Sequence, residues 1–221
     1  MNARSTARVE HLLTSGTFSL DGQTFDVDNN VWIVGDDSEV VVLDAPHDVD
    51  AIAAAIGDRR LLAVLCTHAH DDHVRRAPEL AERFSTEQHR VPVLLHPADR
   101  QVWELTHPDQ DARTATVDLV HGQVLTVAGT ELHVLHTPGH TPGAVCVYAP
   151  ALGTVFTGDT LFAGGPGATG RSFSSFDTII DSIRDVLLEL PPETRVLTGH
   201  GQDTTIGDEA PHLDEWITRG H

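Results

Sequence analysis

The sequence predicts an α/β fold in which two β-sheets pack face to face and helices cover both outer sides. Short apolar strand-like runs alternate with helical segments in the first half of the chain. The second half gathers several strands joined by glycine-containing turns, followed by an amphipathic helix. With 221 residues and 40% hydrophobic content, the chain can bury one substantial core. We therefore expect one domain over residues 1–221.

In the first half, apolar runs predict three strands, and amphipathic spacing predicts two helices. The strands are expected at residues 31–35, 39–44 and 61–65, and the helices at 48–56 and 75–84. The second strand and the third flank the first helix, which is the order typical of a βα unit.

In the second half, a strand at 93–96 leads into a short helix at 97–105. Further strands are predicted at 123–127, 131–136, 144–148, 154–157 and 195–198. The segment 176–190 has apolar residues at three-and-four spacing and is stopped by Pro191, so it predicts a helix with one buried face. A last helix is expected at 212–217.

Charge and composition argue against several classes of function. The formal net charge is −19 and the sequence contains no basic run, which argues against nucleic-acid binding. Residues 1–15 lack the continuous apolar core of a secretory signal, and no apolar run is long enough to span a membrane. We expect a cytoplasmic enzyme with a small-molecule substrate and no nucleic-acid or membrane partner, and we consider a homodimer.

The segment Thr67-His68-Ala69-His70-Asp71-Asp72-His73 concentrates metal-binding side chains immediately after a predicted strand. His-x-His places two imidazoles on the same side of an extended backbone. Asp72 and His73 can then face a second ion. Histidine and carboxylate together are typical of zinc, manganese or non-haem iron sites.

Three later motifs each place one histidine or aspartate beside a glycine. They are Thr137-Pro138-Gly139-His140, Thr157-Gly158-Asp159-Thr160 and Thr198-Gly199-His200-Gly201. Glycine allows a sharp turn and a close approach of the backbone to an ion. His140, Asp159 and His200 are therefore candidate ligands.

This set of motifs resembles the metallo-β-lactamase superfamily, with all seven ligand positions filled between residues 40 and 200. The resemblance implies a four-layer αββα sandwich of two mixed β-sheets. It also implies that His68, His70 and His140 bind one ion and that Asp72, His73 and His200 bind a second. Asp159 then bridges two divalent metal ions, with Zn²⁺ expected first and iron or manganese as alternatives. Asp44 matches an acidic residue that orients a ligand by hydrogen bonds.

The pattern is most similar to the glyoxalase II group of thioester hydrolases. It implies a metal-dependent hydrolase that uses a hydroxide bound by the two ions, with Asp72 as ligand and water-orienting residue. The substrate expected is a thioester of a small thiol of the glutathione or mycothiol type. A second interpretation stays open, a persulfide dioxygenase with one iron on His68, His140 and Asp159. A lactonase is a third.

A glycine-rich loop at residues 163–172 follows the bridging aspartate. We expect Arg171, with Gly165 and Gly167, to bind substrate, and the alternative is a solvated surface loop. Cys66 and Cys146 lie beside apolar strands, which predicts two buried free thiols. His47 is expected to be a loop residue.

Overall fold

The computed structural model describes residues 7–220 and contains two six-stranded mixed sheets. Part of the amino-terminal segment 1–15 lies outside the described residues. The first sheet has the strand order β1-β2-β3-β4-β5-β6. Its strands are β1 (Arg8–Leu20), β2 (Gln23–Gly35), β3 (Glu39–Leu43), β4 (Arg60–Leu65), β5 (Val93–Leu95) and β6 (Val117–Asp118). The pairs β1/β2 and β2/β3 are antiparallel, and the remaining pairs are parallel.

The second sheet has the order β14-β13-β10-β9-β8-β7. Its strands are β7 (Val124–Val127), β8 (Thr130–His136), β9 (Val145–Ala149), β10 (Thr154–Gly158), β13 (Arg195–Thr198) and β14 (Thr204–Thr205). Only β10 and β13 form a parallel pair in this sheet. The short strands β11 (Leu161–Phe162) and β12 (Gly165–Pro166) pair separately.

Helices connect many of these strands. They are α1 (Val49–Ile56), α2 (Asp71–Val74), α3 (Ala77–Phe84), α4 (Arg100–Thr106), α5 (Ala112–Ala115), α6 (Phe176–Ser182), α7 (Ile206–Glu209) and α8 (Leu213–Arg219). Asp48 caps α1 by accepting a hydrogen bond from the Ala51 amide, and the Ser175 hydroxyl caps α6. Among residues 7–220, none of the helices has the length and apolar character needed to cross a membrane.

Three apolar clusters form the packed interfaces between the layers. The central cluster lies between the sheets and includes Leu43, Val134 and Phe156. A second cluster packs helices such as α3 against the outer face of the first sheet, and a third packs α6 and α8 against the second sheet. This arrangement of helix, sheet, sheet and helix confirms the predicted four-layer αββα sandwich.

The largest departure from the predicted elements is the β1–β2 hairpin. The sequence predicts a strand at 31–35, but β2 already begins at Gln23, and β1 is not predicted at all. Asp21 and Gly22 form the turn with positive φ angles of 53° and 74°, as a two-residue hairpin turn of this type requires. The hairpin lies against α2, where the Ser19 amide donates to Asp71 Oδ1 over 3.1 Å.

Smaller corrections concern helix ends. The helix predicted at 176–190 is α-helical only to Ser182 and continues as a wider π-helical turn over Ile183–Leu187. The helix predicted at 75–84 begins at Ala77, because the metal motif forms its own short helix α2 first.

Candidate metal centre and pocket

The seven predicted ligands converge at one end of the sandwich, although they come from four separate segments. His68 and His70 follow β4, Asp72 and His73 lie in α2, and His140 lies in the loop between β8 and β9. Asp159 follows β10 and His200 follows β13, the two parallel strands of the second sheet. Polar side chains displayed at the carboxyl ends of parallel strands are a common source of sites in α/β proteins.

The first cluster consists of the three imidazoles of His68, His70 and His140. His70 Nδ1 lies 3.1 Å from His68 Nε2 and 3.0 Å from His140 Nε2. The three rings are nearly perpendicular to one another, with interplanar angles of 84–87°. Three nitrogens that face a common point in this way can act together as ligands of one ion.

The second cluster consists of Asp72, His73 and His200. His200 Nε2 lies 3.2 Å from Asp72 Oδ2 and 3.3 Å from His73 Nε2. Two imidazoles and a carboxylate again offer one ligand atom each around a common point.

Asp159 lies between the clusters. Its Oδ2 is 3.6 Å from His140 Nε2 in the first cluster and 3.4 Å from His200 Nε2 in the second. Its Oδ1 is buried, makes no hydrogen bond within the described residues and faces His73 Nε2 at 3.4 Å. A carboxylate in this position can contact two ions at once, so the structure brings together all seven predicted ligands.

Hydrogen bonds on the far side of the rings fix the tautomers. His140 Nδ1 lies 2.9 Å from the Ala168 carbonyl oxygen, and His200 Nδ1 lies 2.7 Å from that of Asp28. A carbonyl oxygen can only accept, so each Nδ1 carries a proton and Nε2 is the nitrogen of each ring that is left to bind an ion. The donor set therefore fits a metal centre, because the inward nitrogens are prepared as ligands.

Asp44 makes hydrogen bonds that orient ligand side chains, as the resemblance implies. Its Oδ2 accepts from His73 Nδ1 at 2.8 Å and from the Thr67 hydroxyl at 2.8 Å, and its Oδ1 accepts from the Thr67 amide at 2.7 Å. The Thr67 hydroxyl is in turn 3.1 Å from His68 Nδ1. One buried carboxylate thus orients His73 directly and His68 through Thr67.

Burial and local charge give the two clusters different protonation. Burial, with the neighbouring His140, lowers the pKa of His70 to about 3, and burial also lowers the pKa values of His68 and His140. These imidazoles are therefore neutral.

In the second cluster burial also favours neutral rings, but Asp159 and Asp72 outweigh it, so the pKa of His200 rises to about 10 and that of His73 rises well above its usual value. Burial likewise opposes ionisation of Asp72, but the cationic His73 and His200 outweigh it and hold the pKa of Asp72 at about 2. An ion bound by the second cluster therefore replaces the protons on the Nε2 atoms of His73 and His200.

Asn29 is a site residue that the sequence interpretation missed. Its Nδ2 donates to the Asp72 carbonyl oxygen at 2.8 Å and to Asp72 Oδ2 at 3.1 Å, and lies 3.4 Å from the Nε2 atoms of His73 and His200. His47 Nε2 lies 2.8 Å from Asn29 Oδ1 and so fixes the amide orientation. His47 is a loop residue as expected, but it also supports the site.

A cavity of about 300 Å³ opens over the clusters. Ligand side chains form its floor, and its walls come from the hairpin and the loops that follow β10, with Phe18, Phe25, Val27, Phe162, Ala168 and Arg171. The Arg171 guanidinium lies 5.7 Å from the ring centroid of Phe18 and 4.8 Å from that of Phe25. Among the described residues, it is the one arginine that lines this pocket.

The two glycines predicted to bind substrate lie outside the pocket lining. A Cβ on Gly165 would approach Trp216 of α8, and a Cβ on Gly167 would lie 1.8 Å from the Asp159 carbonyl oxygen. The Gly167 amide is also used, because it donates to Thr160. Gly165 therefore packs against α8 and Gly167 against the Asp159 backbone, and neither is placed to contact a molecule in the pocket.

The two cysteines belong to neither ligand cluster and do not line the pocket. Cys66 and Cys146 are both buried free thiols, which confirms the prediction. Burial raises the pKa of the Cys66 thiol well above its usual value and that of Cys146 to about 11, so neither offers a thiolate.

Comparison with known proteins gives a consistent assignment. The chain is 32% identical over 186 residues to the hydroxyacylglutathione hydrolase GloC of Haemophilus influenzae, covering 81% of this chain and 87% of the relative. The solved structure of TTHA1623 in a di-iron-bound form is 32% identical with a TM-score of 0.71, covering 89% of this chain and 96% of that one. The BLEG-1 B3 metallo-beta-lactamase is 28% identical with a TM-score of 0.72, covering 90% and 98%.

The model of one family matches most of the chain, over residues 24–200. This range includes the complete set of converging ligands and Asn29. The chain therefore belongs to the metallo-beta-lactamase superfamily.

Proposed function

We propose that the chain hydrolyses thioesters of a small thiol at this metal centre. The observation that carries the proposal is the position of Asp159 between two complete donor clusters, directly below a pocket with aromatic walls. The likeness to a hydroxyacylglutathione hydrolase over most of both chains supports this choice of substrate class.

The donors favour two divalent ions, with zinc as our first choice and iron or manganese as alternatives. When bound by these side chains, two divalent ions would lower the pKa of a water molecule towards neutrality and would polarise the substrate carbonyl. The likeness to a protein solved in a di-iron-bound form makes iron a metal to test directly.

Side chains of the site would bind the ions, accept a proton and exclude water. His140 and His200 each turn Nε2 towards the centre, because backbone carbonyls accept the proton of the opposite ring nitrogen. Asp72 stays ionised and is held by Asn29, so it serves as ligand and as acceptor for a proton of the attacking water. Phe18, Phe25 and Phe162 exclude bulk water from the acyl group.

Arg171 supports the choice of an anionic thiol. Its guanidinium is half-buried at the pocket wall, and its nearest hydrogen-bond partner there is the neutral Gln23 Oε1 at 3.3 Å. We propose that it binds a carboxylate or another anionic group on the thiol portion of the substrate. In a chain of net charge −19, one guanidinium in the same pocket as the ligand side chains gives such a group a specific binding position.

The test is anaerobic cleavage of a thioester panel by protein loaded with zinc or with iron. The panel carries lactoyl, formyl and acetyl groups on glutathione, mycothiol and coenzyme A, and a β-lactam and a lactone serve as comparison substrates. We expect thiol release without oxygen, with one thiol preferred. Asp72→Ala should nearly abolish it, whereas Asp181→Asn on the exposed face of α6 should not.

Two results would overturn the proposal. One is the absence of thioester cleavage together with oxygen uptake on a persulfide, the activity of the one-iron alternative. The other is faster turnover of the lactone or the β-lactam than of every thioester.

A further inference from the structure

Asp99 is a fully buried carboxylate that belongs to neither ligand cluster and does not line the pocket. It lies between β5 and α4, at the start of the latter helix. A buried carboxylate requires strong hydrogen bonds to compensate for its lost hydration, so its partners indicate why it is there.

Three donors from two distant segments point at this carboxylate. Oδ2 accepts from the Ala69 amide at 2.9 Å and from the Thr141 hydroxyl at 2.7 Å. Oδ1 accepts from the Gly143 amide at 2.5 Å. The fit leaves no room for a side chain at residue 143, because a Cβ there would lie 2.8 Å from Asp99 Cγ.

Two of these donors lie directly beside ligands of the first cluster in the sequence. Ala69 separates His68 from His70, and Thr141 directly follows His140. The two segments that meet at Asp99 therefore provide all three imidazoles of the first cluster. The second cluster is supported by Asn29 and Asp44, and Asp44 reaches the first cluster only at His68, through the Thr67 hydroxyl.

We propose that Asp99 is a positioning residue that holds the His68–His70 turn and the His140 turn at the separation required for the first ion. It joins the turns on the side away from the pocket and acts through their backbones. This inference rests on the metal centre of the proposed function but not on any substrate.

Asp99→Asn is the most direct test, because the amide keeps the shape and loses one acceptor. If its oxygen stays at the Oδ2 position, its NH2 group faces the Gly143 amide. If it turns, the NH2 group faces the Ala69 amide. In the first case the His140 turn loses one of its two hydrogen bonds to residue 99, and in the second the His68–His70 turn loses the hydrogen bond of the Ala69 amide. Both cases leave an unpaired donor in a buried site.

The measurement is zinc affinity by chelator competition on the full chain, with cadmium NMR to distinguish a three-imidazole site from a site of two imidazoles and a carboxylate. We expect Asp99→Asn to weaken the first ion by about 10- to 100-fold and to leave the second within about twofold. Circular dichroism and urea unfolding of the metal-free protein report the fold separately. Asp118→Asn, an exposed carboxylate paired with Arg100, controls for the change of charge.

Two further variants keep the test decisive if Asp99→Asn fails to fold. Thr141→Val removes one hydrogen bond at nearly constant shape, and Gly143→Ala displaces the carboxylate without removing it. Both should weaken the same ion selectively. Unchanged affinity for the first ion in the folded variants, or an equal loss at both ions, would refute the positioning role, whatever the substrate proves to be.

Discussion

Asp44→Asn tests whether the second cluster depends on the tautomer of His73. The wild-type carboxylate accepts from His73 Nδ1 and from the Thr67 amide through different oxygens. An asparagine can satisfy only one of these donors. The backbone tolerates the change, because residue 44 has a φ of 62° and asparagine adopts this region about as readily as aspartate.

Without metal, the carboxylates of Asp159, Asp72 and Asp44 outweigh burial and raise the pKa of His73 in the wild type, and Asp44→Asn removes one of them. In the variant the amide should then place its oxygen on the Thr67 amide and its NH2 group on His73 Nδ1. His73 then carries its proton on Nε2, the nitrogen that faces the second cluster. Binding the second ion requires the amide to turn and leave the buried Thr67 N–H opposite an NH2 group. That unpaired donor costs about 1–3 kcal/mol, which corresponds to a roughly 5- to 150-fold weaker second ion.

Chelator competition measures the affinity of each ion, and urea unfolding of the metal-free variant measures its stability. We expect the metal-free variant to stay folded, because both ends of the amide are paired in that state, and to lose only the stability that the charged Asp44–His73 contact contributes. A second ion bound as tightly as in the wild type, in a variant that is folded, would refute the tautomer argument.

Three further predictions follow from other contacts. Gly199→Ala should yield a folded chain with less bound metal, because the alanine Cβ would lie 2.2 Å from Asp159 Oδ1. Metal content measures the loss and circular dichroism measures the fold. A metal content equal to that of the wild type would contradict the prediction. Arg171→Gln should raise KM for anionic thioesters about tenfold without changing kcat, and equal effects on neutral thioesters would count against an anion site. Burial raises the pKa of Asp99 to about 6 against the hydrogen bonds that lower it. The folded protein then binds a proton that the unfolded chain has released, so the stability of the metal-free wild type relative to Asp99→Asn should increase as the pH falls from 7 to about 4. Unfolding at both pH values measures this, and a difference that is constant or of opposite sign would contradict it.

The ligands could be predicted because their chemistry is local. Each lies in a short segment whose residue types indicate its role, as in the turn before His140. The layers were also predictable, because the outer helices keep apolar spacing and the central strands are apolar runs.

The rest depends on tertiary contacts between residues far apart in the sequence. Residues 23–30 are mostly polar, and Asp28-Asn29-Asn30 resembles a turn, so β2 was predicted to begin only at residue 31. One signal was present: Phe25, Val27, Val31 and Ile33 keep a period of two, and Asn29 falls in that row. Asp99 gave no local signal, because its three donors lie 30 to 44 residues away.

The β1–β2 hairpin limits which substitutions and changes of length the chain can accept near the site. Phe25, Val27 and Asn29 alternate along β2 and therefore share one face, which joins the pocket wall to the support of the metal ligands. Substitutions at Phe25 or Val27 can reshape the pocket one residue at a time. A single-residue insertion or deletion between the turn and Asn29 would turn the wall outward or withdraw Asn29 from Asp72. Variation in hairpin length should accordingly be accepted in pairs of residues, or at the Asp21-Gly22 turn with both strands adjusted together.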